Sequence, residues 1–292
     1  MTDVALRRPR RRARRPAARR LAPWYHNRSL VAGLVIVGIM LLLAILAPVL
    51  TSYDPIQQDL QNTLQPPSGA HWLGTDKLGR DVLARLLYGA RVDLRIGFLA
   101  VLIPFVVGSV LGAIAGYFGG WLDNVIMRVV DVFYAFPLFI LVIALVFVLG
   151  SGERSIYLAI ALVSWVSYCK IVRGEVIVAR RQEYVQAARL GGLSHARVLT
   201  RHIGPNVISQ AITYAMSDIV MDIMVIVTLG YLGVGITPPT PEWGGMIADA
   251  KEFITTLWWM AVLPGLAVVI TGLGLSLTGD GLSDLLSPER RT

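Results

Sequence analysis

Two acids, Asp218 and Asp222, stand in an otherwise apolar run from Val207 to Leu229. Spaced four residues apart, they project from one side of a helix. Each costs a few kcal/mol near the centre of a bilayer if it is ionised and faces lipid, so their side is expected to meet protein or a watery path. Two readings stay open: contact with a cationic group passing along such a path, or structural pairing with polar groups on a neighbouring helix or a second subunit. Arg128 and Asp131, one helical turn apart, read as a local ion pair. Other chemistry is excluded more firmly. The single cysteine, Cys169, cannot form an internal disulfide, and no Cys/His cluster has metal-ligand spacing. No G-x-x-x-x-G-K-[ST] run is present to cradle phosphates, so any energy from ATP by that route must come from a partner.

The elements that must position these residues are membrane spans. Of 292 residues 55% are apolar, which leaves room for several spans and none for a large soluble domain besides. Residues 1–28 contain RRPRRRARRPAARR, a block expected to be disordered and to act as a positive-inside anchor touching the anionic lipid bilayer, with nucleic acid an unlikely partner. A twin-arginine export signal is the other candidate. Leu30 to Leu50 is long enough for a full span, so residues 29–50 read as a retained first transmembrane helix entering from the cytoplasm.

Residues 51–93 are then expected outside, with a helical pattern from Asp81 (Val82, Leu83, Leu86 and Leu87 apolar, Arg85 and Arg91 charged) that suits a helix lying along the interface. A five-helix core over 94–280 completes six spans. Ile96 to Tyr117 carries Gly108, Gly112 and Gly116 on one face, expected to pack against another helix. Val132 to Leu149 and Ile156 to about Ile171 follow, the latter short enough for Lys170 to snorkel. Val207–Leu229 is the fifth span, and Phe253 to Thr278 the sixth, with a bend at Pro264 and Gly265. In the outer loop 230–252, prolines and glycines oppose regular helix as far as Gly245, and Met246 to Phe253 suits a short one. Residues 281–292 read as a cytoplasmic tail.

A basic loop, 173–206, separates the fourth and fifth spans, and the four spans before it put it on the same side as the arginine-rich tail. Its stretch Glu183–Asn206 is punctuated as two short helices. Val185, Ala188 and Leu190 form one pattern that stops at Gly191-Gly192; Ser194 can cap a second, whose Val198, Leu199 and Ile203 share a face before Pro205 limits it. Side chains as small as Ala187 and Ala188 let another backbone approach closely, which suits a docking surface; the blander reading is a loop that merely orients its neighbours.

The loop resembles the cytoplasmic loop of ABC-importer permeases, whose Glu-Ala-Ala, Gly and Ile-x-Leu-Pro elements fall here on Gln186, Ala187, Ala188, Gly192, His202, Gly204 and Pro205, with Glu183 supplying an acid one turn earlier. Gly204 stands in place of the usual Leu. Further runs agree: HWLGTDKLGRDVLARLLYGARVDLRIG; the set from Gly116 and Tyr117 to Pro137; YLGVG and TPPTPEWG with Met246; and GDGLSDLLSPERR, where Ser283 replaces a common Arg. The chain is thus similar to the C-type permease subunit of dipeptide/oligopeptide (peptide/nickel family) ABC importers. That resemblance implies an all-α integral membrane protein of six transmembrane helices, the type I ABC importer permease fold with a cytoplasmic coupling helix, in the cytoplasmic membrane. It implies a homologous second permease, two cytoplasmic ATPases holding ATP and Mg, an extracytoplasmic substrate-binding protein, and no cofactor or catalytic residue in this chain.

Glu183, Ala187, Ala188, Gly192, Ser194, His202 and Pro205 would couple to the ATPases. Gly74, Thr75, Asp76, Gly79, Arg80 and Asp81 would form an extracytoplasmic cap near the gate or the binding-protein contact, for which the blander alternative is a solvated turn with a helix cap. Asp131, Asp218 and Asp222 are candidates for the translocation path, where a peptide's ammonium group would pass, or for interhelical pairing. The rival class is a proton- or ion-coupled secondary carrier titrating Asp218 and Asp222; no inverted repeat in hydropathy favours it.

Overall fold

The computed structural model describes Tyr25 and residues 27–286. Most of the expected basic tail, and residues 287–292 of the expected C-terminal tail, lie outside them. Among the described residues the regular structure is all helical, apart from one isolated bridge between Thr75 and Asp81.

Helix α1 (Arg28–Leu50) starts where Asn27 accepts the Leu30 amide at 3.1 Å. It lies on the last helix, α11 (Trp259–Leu286), through small residues: a methyl on Gly33 would come within 2.5 Å of the Thr278 backbone, and one on Gly281 within 2.6 Å of the Leu30 backbone. The chain then crosses a cap of turns to α2 (Val82–Ala100), which runs with only a joint at Val101 into α3 (Leu102–Phe118). The stretch expected to lie along the interface is therefore the leading part of one apolar helix of 37 residues. At 1.5 Å per residue it is about 55 Å long, against a hydrocarbon core of about 30 Å. Val82, Ala84, Leu87, Ala90 and Leu94 are buried in protein along it.

Gly119 and Gly120, at φ +66° and +59°, turn the chain into α4 (Gly120–Tyr134), and α5 (Leu138–Leu149) follows at 80° to it. The continuous third span expected from Val132 is thus broken. Pro137 lacks an amide and drives Phe136 out of helical geometry, which ends α4. Helix α6 (Glu153–Ala179) is 27 residues long, not short, and reaches past Ile171 into the stretch expected as loop. Lys170 accordingly does not snorkel from a span's end; its Nζ sits 3.8 Å from the centre of the Tyr134 ring.

Gly108, Gly112 and Gly116 face α6 as expected. A methyl on Gly108 would collide with the Trp165 carbonyl, one on Gly112 with the Cys169 carbonyl, and one on Gly116 would lie 2.8 Å from the Arg173 carbonyl oxygen. Short helices α7 (Glu183–Leu190) and α8 (His195–Val198) follow, then a π turn (Leu199–Ile203) that flows into α9 (Gly204–Tyr231). Pro205 does not end the second short helix. It occupies the first turn of α9, where a missing amide is harmless, and the wide turn before it closes with the Gly204 amide on the Leu199 carbonyl. Helix α10 (Trp243–Ala250) begins earlier than the glycines suggest, because Glu242 caps it. α11 runs on to Leu286, into the residues expected as tail.

Candidate functional site

The joint between α6 and α9 combines a buried side and a presented side. Val185, Val198 and Ile203 are fully buried in the main core, while Leu190 is 90% exposed and Glu183, Ala187 and Arg189 are exposed with it. Ala188 is half-buried and packs on the core, so of the two alanines only Ala187 is free to receive a partner. Gly192 takes φ +79° to reverse the chain, and Ser194 Oγ accepts the Arg197 amide at 3.4 Å to start α8. The carbonyl of half-buried His202 accepts Asn206 Nδ2 at 2.9 Å, and Asn206 also donates to the Tyr184 hydroxyl. Pro205 is exposed. The structure thus gathers all seven residues expected to couple into one joint, on the turn between two spans.

Two of the loop's arginines hold the frame together. Arg173 pairs with Asp123 through Nε at 2.5 Å and a second nitrogen at 2.7 Å, and Arg180 donates to the Gly116 carbonyl at 2.9 Å. Arg181, Arg189, Arg197 and Arg201 remain exposed. A contact unread in the sequence ties the joint to the end of α3: the Tyr117 hydroxyl lies 2.9 Å from His195 Nδ1, with the Arg189 guanidinium 5.9 Å from the centre of the Tyr117 ring. The two partners stand 78 residues apart, so no local pattern announces them.

At the other end the cap is built around Asp76. Its carboxylate accepts Arg80 Nε at 2.6 Å and the amides of Leu78 and Arg80, with Arg85 Nε at 3.4 Å. Arg80 continues to Asp249 on α10 at 3.3 Å, which also takes Lys77 at 2.9 Å. Asp81 caps α2 by accepting the Ala84 amide at 2.7 Å and meets His71 at 2.9 Å. Thr75, fully buried, donates its hydroxyl to the Asn62 carbonyl and accepts the Gln65 amide. Gly74 (φ +77°) and Gly79 (φ +73°) have the carbonyls of Gln65 and Asp59 where a Cβ would be. All six residues come together, but Asp76, Arg80 and Asp81 are buried, which corrects the reading of a solvated turn.

Within the spans, Asp218 and Asp222 share a buried face of α9. The Tyr168 hydroxyl of α6 donates to Asp218 Oδ2 at 2.9 Å, and the Tyr168 and Tyr214 rings meet edge to face, 4.9 Å between centres. Asp222 Oδ2 has no hydrogen-bond partner among the described residues. Asp131 lies apart, exposed on α4, and the expected pair with Arg128 is not formed; both side chains are exposed. Sequence reasoning also missed Asp93 and Glu242. Asp93 Oδ2 accepts the Trp243 amide at 2.9 Å, while Glu242 accepts the amides of Gly244 and Gly245 and lies where a methyl on Gly230 would be. Burial pushes the Glu242 carboxyl up to about 7, against the two glycine amides that hold it down.

Among the described residues no group of three or more His, Cys, Asp or Glu could hold a metal ion. The arrangement is a capped bundle with a presented joint.

The family described as binding-protein-dependent transport system inner membrane component matches residues 108–292, and the N-terminal TM domain of oligopeptide transport permease C matches residues 18–67. A dipeptide transport system permease protein of Alkalihalophilus pseudofirmus is 39% identical over 91% of this chain and 88% of its own length. An oligopeptide transport system permease protein of Bacillus subtilis is 36% identical, with 91% and 87% covered, and a nickel transport system permease protein of Escherichia coli 40%, with 89% and 94% covered. With its helical spans and a match covering more than half its length, this chain belongs to the family of binding-protein-dependent transport system inner membrane components.

Proposed function

We propose that the chain is the C-type permease subunit of an ATP-driven importer of di- or oligopeptides, set in the cytoplasmic membrane with both termini and the α7–α8 joint on the cytoplasmic side. The observation that carries the reading is the two-sidedness of that joint: Val185, Val198 and Ile203 anchor it while Ala187 and Leu190 are offered outward. In the proposed assembly a homologous second permease completes the path, two ATPases holding ATP and Mg grip the joint, and an extracytoplasmic binding protein delivers cargo on the side of the cap. ATP-driven closure of the ATPases would displace the joint. Its ties to α9 through the π turn and to α3 through Tyr117 would then carry the spans with it. No bond in the cargo is made or broken.

Peptide cargo is favoured by the dipeptide and oligopeptide permeases among the relatives and by the outer-loop run TPPTPEWG. Asp218, held by Tyr168, serves best as interhelical pairing between α9 and α6, with Asp222 beside it; Asp131 is the acid exposed to a passing ammonium group. The carrier alternative finds no support among these relatives.

The test is Ala187→Arg in the assembled complex. The chain should insert normally, while co-purifying ATPase and uptake fall together; normal amounts of both would sink the proposal. Competition by short peptides for the partner binding protein tests the cargo separately.

A further inference from the structure

A cavity of about 640 Å³ opens where α1 leaves the bundle, between Thr51–Ile56, the cap half of α2, and Thr240–Pro241. Two cations of α2 line it one helical turn apart. Arg95 is committed to Glu153 at 2.8 Å. Arg91 is exposed and has no carboxylate partner among the described residues; its guanidinium leans on the Tyr88 ring, 5.7 Å from the centre. The acid in the wall, Asp54, is turned to its own loop, where Oδ1 accepts the Ile56 amide at 2.8 Å. Thr51 and Ser52 add hydroxyls.

Away from the cap the surface changes character. In steps of one turn from Arg91 and Arg95 come Leu99, Ile103 and Val106, all exposed, and α1 approaches the same cavity through exposed Val49 and Leu50. From Arg91 to Ile103 is about 18 Å along the helix, close to the roughly 15 Å depth of one leaflet. A cationic head with hydroxyls, trailed by an apolar stripe one leaflet deep, has the chemistry of a phospholipid site: a guanidinium grips a phosphate through paired N–H donors, and acyl chains follow the stripe. A soluble carboxylate would use the arginine and leave the stripe without a role.

We propose that this cavity seats the phosphate of a phospholipid from the leaflet on the cap's side, with Arg91 as its principal ligand. The inference needs only that the chain is a membrane permease; it is independent of cargo and of ATPase docking.

The test uses the assembled complex, delipidated in detergent, with phosphatidylglycerol added back and retention read by native mass spectrometry. The wild type should hold the lipid, Arg91→Gln should lose it severalfold, and Arg91→Lys should fall between. Arg91 is exposed and without a carboxylate partner among the described residues, so these variants should assemble and melt as the wild type does. Equal retention by wild type and Arg91→Gln would overturn the proposal. So would loss of the second permease from Arg91→Gln, which would make the cavity a subunit contact. A selective defect of Arg91→Gln toward peptides with a free carboxylate over amidated ones, with lipid retention unchanged, would overturn it in favour of a solute site.

Discussion

Gly116→Ala is the sharpest test of how α3 and α6 are joined. The new methyl would stand 2.8 Å from the Arg173 carbonyl oxygen, 2.9 Å from Val176 Cβ and 3.1 Å from Val176 Cγ1. Ordinary contact begins near 3.4 Å, so the helices must part by about half an ångström, against backbone on one side and a stiff β-branched side chain on the other. Overpacking of this kind costs about 1–3 kcal/mol, from which about 1 kcal/mol of helix propensity is recovered. The net loss is about 0–2 kcal/mol, or a melting midpoint lower by up to roughly 4–8 °C. The control is Gly38→Ala on α1, where a methyl meets nothing within 4 Å and the propensity gain stands alone. Both are read as thermal unfolding of the purified complex. If Gly116→Ala melts with or above Gly38→Ala, the close approach of the two backbones is not what the packing depends on.

Other expectations follow from the cap, the outer loop and the joint. Asp76→Ala leaves Arg80 and Arg85 buried without their shared carboxylate, at a cost of about 3–5 kcal/mol, and limited proteolysis should then cut within residues 52–72 sooner than in the wild type. Glu242 titrates near 7 when folded against an ordinary 4.5, so the folded state holds its proton more tightly: the associated stability is complete below about pH 4.5, declines as pH rises to 7, and is lost above it. The decline amounts to about 3 kcal/mol, and Glu242→Gln should flatten the melting profile between pH 5 and 8. Tyr117→Phe removes the hydroxyl facing His195, costs about 1 kcal/mol, and should raise the ATP hydrolysed per solute imported without lowering the ATPase bound; an unchanged ratio would show that the contact carries no motion.

The spans and the joint were legible because their signals are local. The glycine triplet, the Gly191-Gly192 break and Ser194 each declare a conformation within a turn or two of chain. What the sequence hid is set at a distance. Arg128 and Asp131 have the spacing of a pair, yet the break at Pro137 leaves them on an exposed face of α4 with no burial to hold them together. Arg80 and Arg85 read as surface charges until Asp249, far along the chain, is brought beside them by α10. Glu242 sits in a run of prolines and glycines that argues against helix, and only the amides of Gly244 and Gly245, converging on its carboxylate, turn it into the start of one. The length of α6 was underestimated for a related reason: Arg173, Gly174 and Glu175 interrupt its apolar run, and the helix continues past them where Arg173 and Arg180 grip the α3–α4 turn.

The wide turn at Leu199–Ile203 sets a phase as well as a path. Each residue of an α-helix advances the azimuth by about 100°, so one surplus residue in that turn decides which flank of α9 looks toward α6. Removing a single residue there would relax the turn to ordinary pitch and swing Asp218 away from Tyr168 by about a quarter revolution, with the composition of the span untouched. Residue count in this short interval is thus as binding as residue type, and grafts between relatives should be tolerated only when they conserve it.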